Sequence, residues 1–192
     1  MLFKPMIDMG LFYLLNCFFV YSFCGWVFEC IVMTYENRAI TNRGFTKGPF
    51  CIIYGLGAMF VYIFLRPLSG NYWALFLCGM VMATLLELIT AKIMTHIFGG
   101  FWWNYNNKKF NYHGVICLES SLCWGVMSMC TFTFFQPAVE RIVNFYYPAY
   151  GRIVALILLA IYLIDFSTSF RRALLHPMQE DNNYSKINTF GG

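Results

Sequence analysis

Charge is what this 192-residue chain has least of: 11% of its residues are Asp, Glu, Lys or Arg, against about a quarter in a soluble domain. The scarcity is uneven. Met9–Phe28, Gly48–Leu65, Pro67–Leu86 and Ser120–Val139 hold no charged residue, and Ile153–Phe170 holds only Asp165. Runs of this length suit helices that cross bilayer hydrocarbon, roughly 30 Å thick at about 1.5 Å of rise per residue. Other absences narrow the function. No G-x-x-x-x-G-K-[ST] loop occurs, so the chain cannot be its own ATPase. The eight cysteines form no C-x-x-C pair, so neither a disulfide framework nor a zinc site is expected. No G-x-S-x-G surrounds Ser120, Ser121 and Cys123, and small residues there are expected to pack helices.

What the chain does have is apolar: 59% hydrophobic residues, and 20% aromatic ones. The expected fold is an all-α integral membrane protein, a bundle of about five transmembrane helices at 9–34, 48–66, 68–92, 115–137 and 150–170. These form one transmembrane domain, 1–175, followed by a polar tail, 176–192, expected to be disordered. Met1–Gly10 carries one lysine and no small-x-small cleavage site follows, so the first span is read as retained. Loop charge orients the bundle. With the N-terminus outside and the C-terminus in the cytoplasm, nine of the thirteen Lys and Arg residues fall on the cytoplasmic side. The net charge of +4 is scattered over span ends. Membrane lipids are therefore expected partners and nucleic acid is not; no cofactor or metal is expected.

Two loops interrupt the apolar pattern. Tyr35–Lys47 contains Asn42-Arg43-Gly44-Phe45, followed by Gly48-Pro49, where the proline suits a first helical turn. Arg43 is either a bidentate clamp for a phosphate or carboxylate, or a positive-inside anchor. The second loop, about 92–114, is aromatic (Phe101-Trp102-Trp103-Asn104-Tyr105) and is expected to lie along the interface, with Lys108 and Lys109 near anionic lipid. His113 lacks a second histidine at helical spacing and reads as an ordinary loop residue.

Acids within or beside hydrocarbon are the sharpest chemical signal, since one costs about 3 kcal/mol at a span centre even on the mildest scale. Glu29, Glu87, Glu119 and Asp165 are the candidates, each expected within about two turns of the cytoplasmic end of its span. They either line a shared polar cavity or pair individually with Arg43, Lys47, Lys92 or Arg172. Glu119 also suits the first turn of a helix through its dipole. A faint repeat connects two of them. Glu29, Asn42-x-Gly44, Cys51 and Tyr54-Gly55 recur as Glu87, Asn111-x-x-Gly114, Cys117 and Trp124-Gly125. Two helical hairpins in the same orientation would produce such a pattern.

The same residues carry a family resemblance. Gly25-Trp26-x-x-Glu29, then Asn42-Arg43-Gly44-Phe45-x-x-Gly48-Pro49-x-Cys51-x-Ile53-Tyr54-Gly55, resembles the bacterial ABC transporter permease family of CmpB type, also described as ABC-transporter type IV. Glu87, Phe98-Gly99, Trp103-x-Tyr105, Gly114-x-x-Cys117-Leu118 and Ser121-x-x-Trp124-Gly125 continue it, so that the likeness covers about 18–126. Two departures stand out. Ile52 replaces a proline in the family's P-I-Y-G, and Trp103-Asn104-Tyr105-Asn106 replaces W-D-Y-S. The resemblance implies a multi-span protein of the bacterial cytoplasmic membrane, a permease subunit that would need a separate ATPase on its cytoplasmic face.

The expected function is a non-catalytic, transport-related membrane subunit, able to oligomerise, with an unidentified substrate. Its polar-pocket candidates are Glu29, Asn42, Arg43, Tyr54, Glu87, Trp103, Tyr105, Glu119 and Trp124. One alternative is a membrane-embedded enzyme acting on a lipid or isoprenoid phosphate, with Arg43 as clamp and Glu29 or Glu87 as acid/base. Another is a structural partner that only assembles with other membrane proteins.

Overall fold

A computed structural model describes residues 10–38, 45–101 and 103–175. The tail 176–192, and Asn42 and Arg43, lie outside the described residues. Helix α1 spans Leu11–Asn37 and α2 Ile52–Leu65, continued by a tight turn at Arg66–Leu68; α3 spans Tyr72–Phe98. A two-residue antiparallel ribbon, β1 (Asn111–Tyr112) and β2 (Ile116–Cys117), leads into α4, Leu118–Cys130. One π-turn, Thr131–Phe135, joins α4 to α5, Gln136–Leu175.

Local chemistry sets these boundaries. Asn71 caps α3 by accepting the Ala74 N–H at 3.1 Å, and Gly99 ends it at φ 78°, a left-handed conformation that glycine adopts without strain. Cys117 caps α4: its Sγ accepts the Ser120 N–H at 3.3 Å while Ser120 Oγ accepts the Cys117 N–H at 3.4 Å, a reciprocal pair. Helix α2 begins later than expected. Cys51 is its extended cap and Ile52 its first residue, so Pro49 lies before the helix rather than in its first turn. The segment ahead of α2 is held instead by Asp165, whose carboxylate accepts the N–H groups of Lys47 at 3.2 Å and Gly48 at 2.6 Å.

The exposed faces are those of a membrane protein. Leu77, Val81, Leu85, Ile89 and Ile93 form a ridge along α3 at every fourth residue, each about half exposed. Ile153, Ile157, Ile161 and Ile164 do much the same on α5. Such stripes are costly in water and favourable against lipid. Three helical stretches, Leu11–Tyr35, Tyr72–Phe98 and Leu118–Leu175, are long and apolar enough to cross a membrane; Ile52–Leu68 is apolar but shorter.

The described residues thus form four helical stretches rather than five separate spans, because 115–137 and 150–170 lie on one stretch of 58 residues. That stretch is not straight. Trp124 stacks edge-on against Tyr54, while Asp165 binds Gly48, only six residues away from Tyr54 in sequence. A straight helix from Trp124 to Asp165 would be about 60 Å long, too far apart to reach both. The stretch must double back, and Pro148, which lacks an N–H and clashes with the preceding turn, marks the place. The N-terminal part of α1 packs at this bend. Tyr13 meets Tyr147 at 5.1 Å, and buried Asn16 donates to the Gly151 carbonyl at 2.9 Å while accepting from the Tyr146 hydroxyl at 2.9 Å.

The helices pair as α1 with α2 and α3 with α4. Both pairs close on a glycine. A Cβ at Gly55 would collide with Ser22 and the Phe18 ring, and one at Gly125 would lie 2.7 Å from the Phe76 ring. Without an apolar driving force between helices in lipid, close backbone approach of this kind supplies the packing. Tyr13, Cys17, Tyr21, Tyr62, Val139 and Val143 form the main core, where α1, α2 and the first limb of α5 meet.

Candidate functional site

Five of the expected site residues come together. The Tyr54 hydroxyl donates to Glu29 Oε1 at 2.6 Å. Its ring meets that of Trp124, centroids 5.5 Å apart. The Trp124 indole N–H donates to Glu87 Oε2 at 3.1 Å, and the Tyr105 hydroxyl donates to Glu87 Oε1 at 2.9 Å. The result is a chain of contacts, Glu29–Tyr54–Trp124–Glu87–Tyr105, drawn from α1, α2, α4, α3 and the loop after α3.

The faint repeat is therefore structural. Each hairpin sets a glutamate on its first helix against an aromatic donor near the start of its second, and the glycine after that aromatic seats on a phenylalanine of the first helix. Phe18 and Phe76 each stand eleven residues ahead of their glutamate. The two hairpins meet where Tyr54 touches Trp124, so the equivalent acids are connected across the junction through that aromatic pair.

Glu87 is 4% exposed. It lies eleven residues from the end of α3 because the helix runs on to Phe98, so it sits deeper than the expected two turns from the end. Both of its oxygens are engaged, Oε1 by the Tyr105 hydroxyl and Oε2 by the Trp124 indole, which can only donate. Beside it Thr84 donates to Ser121 at 2.9 Å, tying α3 to α4.

The aromatic loop folds inward rather than lying along the interface. Trp103 donates to the Val115 carbonyl at 2.8 Å, and the Tyr105 N–H to the Gly114 carbonyl at 2.8 Å. Asn104 Oδ1 accepts the Asn106 N–H at 2.8 Å, a turn that an aspartate would make equally well, so the departure from W-D-Y-S leaves it intact. Likewise Ile52 occupies the first helical position, where a proline is favoured but not required. Trp103 thus braces the loop and Tyr105 reaches the acid. Burial, and then the Glu87 carboxylate, push the Tyr105 phenol well above its ordinary value.

Two of the four candidate acids do not join. Glu119, in the first turn of α4, is 68% exposed and pairs with Lys108 at 3.1 Å. Asp165 anchors the segment before α2. His113 is a loop residue at φ 52° against Tyr112.

A second polar cluster was not anticipated. Gln136, fully buried, accepts from the Tyr21 hydroxyl at 2.6 Å and donates to Glu140 at 2.8 Å. Gln136 is uncharged and Glu140 stands just past a charge-free run, so neither registers in a charge count; their spacing of four on one helix was the available signal. Between the two clusters lies a cavity of about 270 Å³, bounded by α1, α2, α3, α4 and the first limb of α5. Glu87, Tyr54 and Trp124 line it at one end, Tyr21 and Val139 line it too, and the walls are largely apolar.

A family model described as "Putative ABC-transporter type IV" matches residues 16–170. The chain belongs to that family. The match takes in both hairpins and the doubled-back α5, and so every residue of the acid–aromatic chain. No curated protein matches, and no solved structure matches. The family description fits an integral membrane protein related to ABC transport.

Proposed function

We propose that the chain is the membrane-embedded, non-catalytic subunit of a transporter, and that its substrate site is the cavity at the junction of the two hairpins. The observation that carries this reading is the pairing of Glu29 and Glu87, from equivalent positions of a repeat, at one end of an intramembrane cavity. Repeat junctions are where transporter folds place their sites, and buried intramembrane acids mark substrate or ion paths. The absence of a phosphate loop from the sequence leaves energy to a separate ATPase.

The same packing supports a topology with the N-terminus outside and the C-terminus in the cytoplasm. The start of α1 lies at the Pro148 bend, and Phe98 at the end of α3 packs on Phe170 near the end of α5. The two ends of the described chain are therefore on opposite faces, as five crossings with two limbs in the last stretch would give. Loop charge favours the Phe98 face as cytoplasmic, in a bacterial plasma membrane. Lys47, Lys108 and Lys109 belong to the loops at that face, the surface on which an ATPase would dock. Nothing among the described residues favours the lipid-phosphate enzyme.

The test is native purification in mild detergent with mass spectrometry of what accompanies the chain. A stoichiometric ATPase is the expected result. A chain that purifies alone at full yield, and supports no uptake or efflux in vesicles, would remove the permease reading.

A further inference from the structure

The cavity's lining specifies a ligand chemistry. At about 270 Å³ it approaches the lower end of ordinary small-molecule pockets, roughly 300–1,000 Å³. No Lys, Arg or His lines it among the described residues. Its one charged lining residue is Glu87, held by two neutral donors, the Tyr105 phenol and the Trp124 indole. Neutral donors stabilise a carboxylate without cancelling its charge. Around it stand aromatic faces. Tyr54 meets Trp124 at 5.5 Å and Phe28 at 6.1 Å, and all three line the cavity. Carboxylate and aromatic faces together recognise an ammonium group, the first by charge and the second by the ring quadrupole. Away from this end the walls are mainly Val, Ile, Ala and Met side chains, which suit hydrocarbon, and the Ser128 and Thr131 hydroxyls there donate to carbonyls of their own helix.

We infer that the cavity binds a lipophilic ammonium, a cationic amine head against Glu87 and the Tyr54–Trp124 pair, with an apolar body filling the space toward Val139 and Ile142. The absence of a lining cation disfavours an anion in the same place, since nothing there would offset its desolvation. Glu29, bonded to Tyr54 behind the lining, adds negative potential at the same end. The inference rests on the reading of this cavity as the transporter's substrate site and adds the class of molecule.

Purified full-length chain in dodecyl maltoside is titrated with tritiated dodecyltrimethylammonium below its micellar concentration. Saturable binding at one per chain is expected, displaced by dodecylamine but by neither dodecyl sulfate nor dodecanol. Glu87→Gln should weaken it about tenfold or more. Gly57→Leu gives a second route that leaves the acid in place. Gly57 lines the cavity, and a Cβ there meets only Leu86 at 3.7 Å, so the added side chain enters the space without displacing backbone. It should abolish binding while the gel-filtration peak and helical content stay those of the parent. Four outcomes overturn the inference: no saturable binding, equal displacement by dodecyl sulfate, a folded Glu87→Gln chain that binds as well as the parent, or a Gly57→Leu chain that does. Failure of the two readings is separable. Binding without any ATPase partner keeps the ligand class and removes the permease role; an ATPase partner without binding does the reverse.

Discussion

At the residue scale, the chemistry turns on how two carboxylates are held in a low-dielectric setting. Glu87 relies on Tyr105, a side chain delivered by a loop, so its environment depends on that loop being folded inward. Replacing Tyr105 by Phe removes one hydrogen bond to a charged group, and about 1.5–3 kcal/mol of stability should go with it. Detergent thermal unfolding of the two chains measures this. The penalty should also depend on pH. Because burial and Glu87 raise the Tyr105 phenol above its ordinary value of 10.0, the folded state holds that proton more tightly than the unfolded one. The parent's advantage is therefore fully present below about pH 10 and shrinks as the pH climbs toward the raised folded value. A Tyr105→Phe penalty that stayed constant between about pH 8 and pH 11 would contradict the assignment. Sequence alone picked out Glu29, Glu87, Tyr54, Tyr105 and Trp124, because an intramembrane acid is costly and a repeat with a family motif drew in the aromatics. It could not separate them from Glu119, whose place in a first helical turn and beside Lys108 is decided by where α4 begins.

At the element scale, each hairpin closes on a glycine that admits no side chain. Gly55→Val and Gly125→Val should each cost on the order of 1–3 kcal/mol by overpacking, whereas Gly57→Ala, with ordinary contact distance to Leu86, should be close to neutral. Thermal unfolding of the three variants orders them, and an equal loss at Gly57 would count against the hairpin geometry. Asp165 supplies a second element-level test. Its carboxylate receives two backbone N–H groups from the segment before α2. Asp165→Ala should leave the helices intact and raise the rate of proteolytic cleavage near residues 45–50, read by mass spectrometry of the fragments. Hydropathy located α1 to within three residues, but placed at 68–92 a helix, α3, that runs from Tyr72 to Phe98. It set α2 four residues early because Gly48-Pro49 is apolar enough to extend the run, while the helix waits for the Cys51 cap.

On the scale of the whole molecule, the doubling back at Pro148 decides which surfaces share a face. Single cysteines at Lys47 and Lys109 should react with an impermeant maleimide from one side of sealed vesicles, and cysteines at Ser69 and Tyr150 from the other. The chain's own cysteines would first be replaced, Cys24, Cys78 and Cys123 being exposed. Labelling of position 150 from the side of position 109 would mean that the stretch after α4 does not return, and the contacts of α1 with both limbs would fail with it.

Composition and charge-free runs are enough to establish a helical membrane protein, because the cost of charge in hydrocarbon depends on residue identity more than on packing. The same local terms single out four acids near hydrocarbon, without separating Glu29 and Glu87 from the other two, and show that a pattern recurs. The tertiary structure decided the rest: that Glu29 and Glu87 face one junction, that the aromatic loop turns inward to meet Glu87, that Gln136 and Glu140 form a second cluster, and that a cavity separates the two. Those facts depend on which helix faces which. In lipid that choice is made by close contacts at a few glycines and by hydrogen bonds between residues far apart in the chain, neither of which leaves a periodic trace.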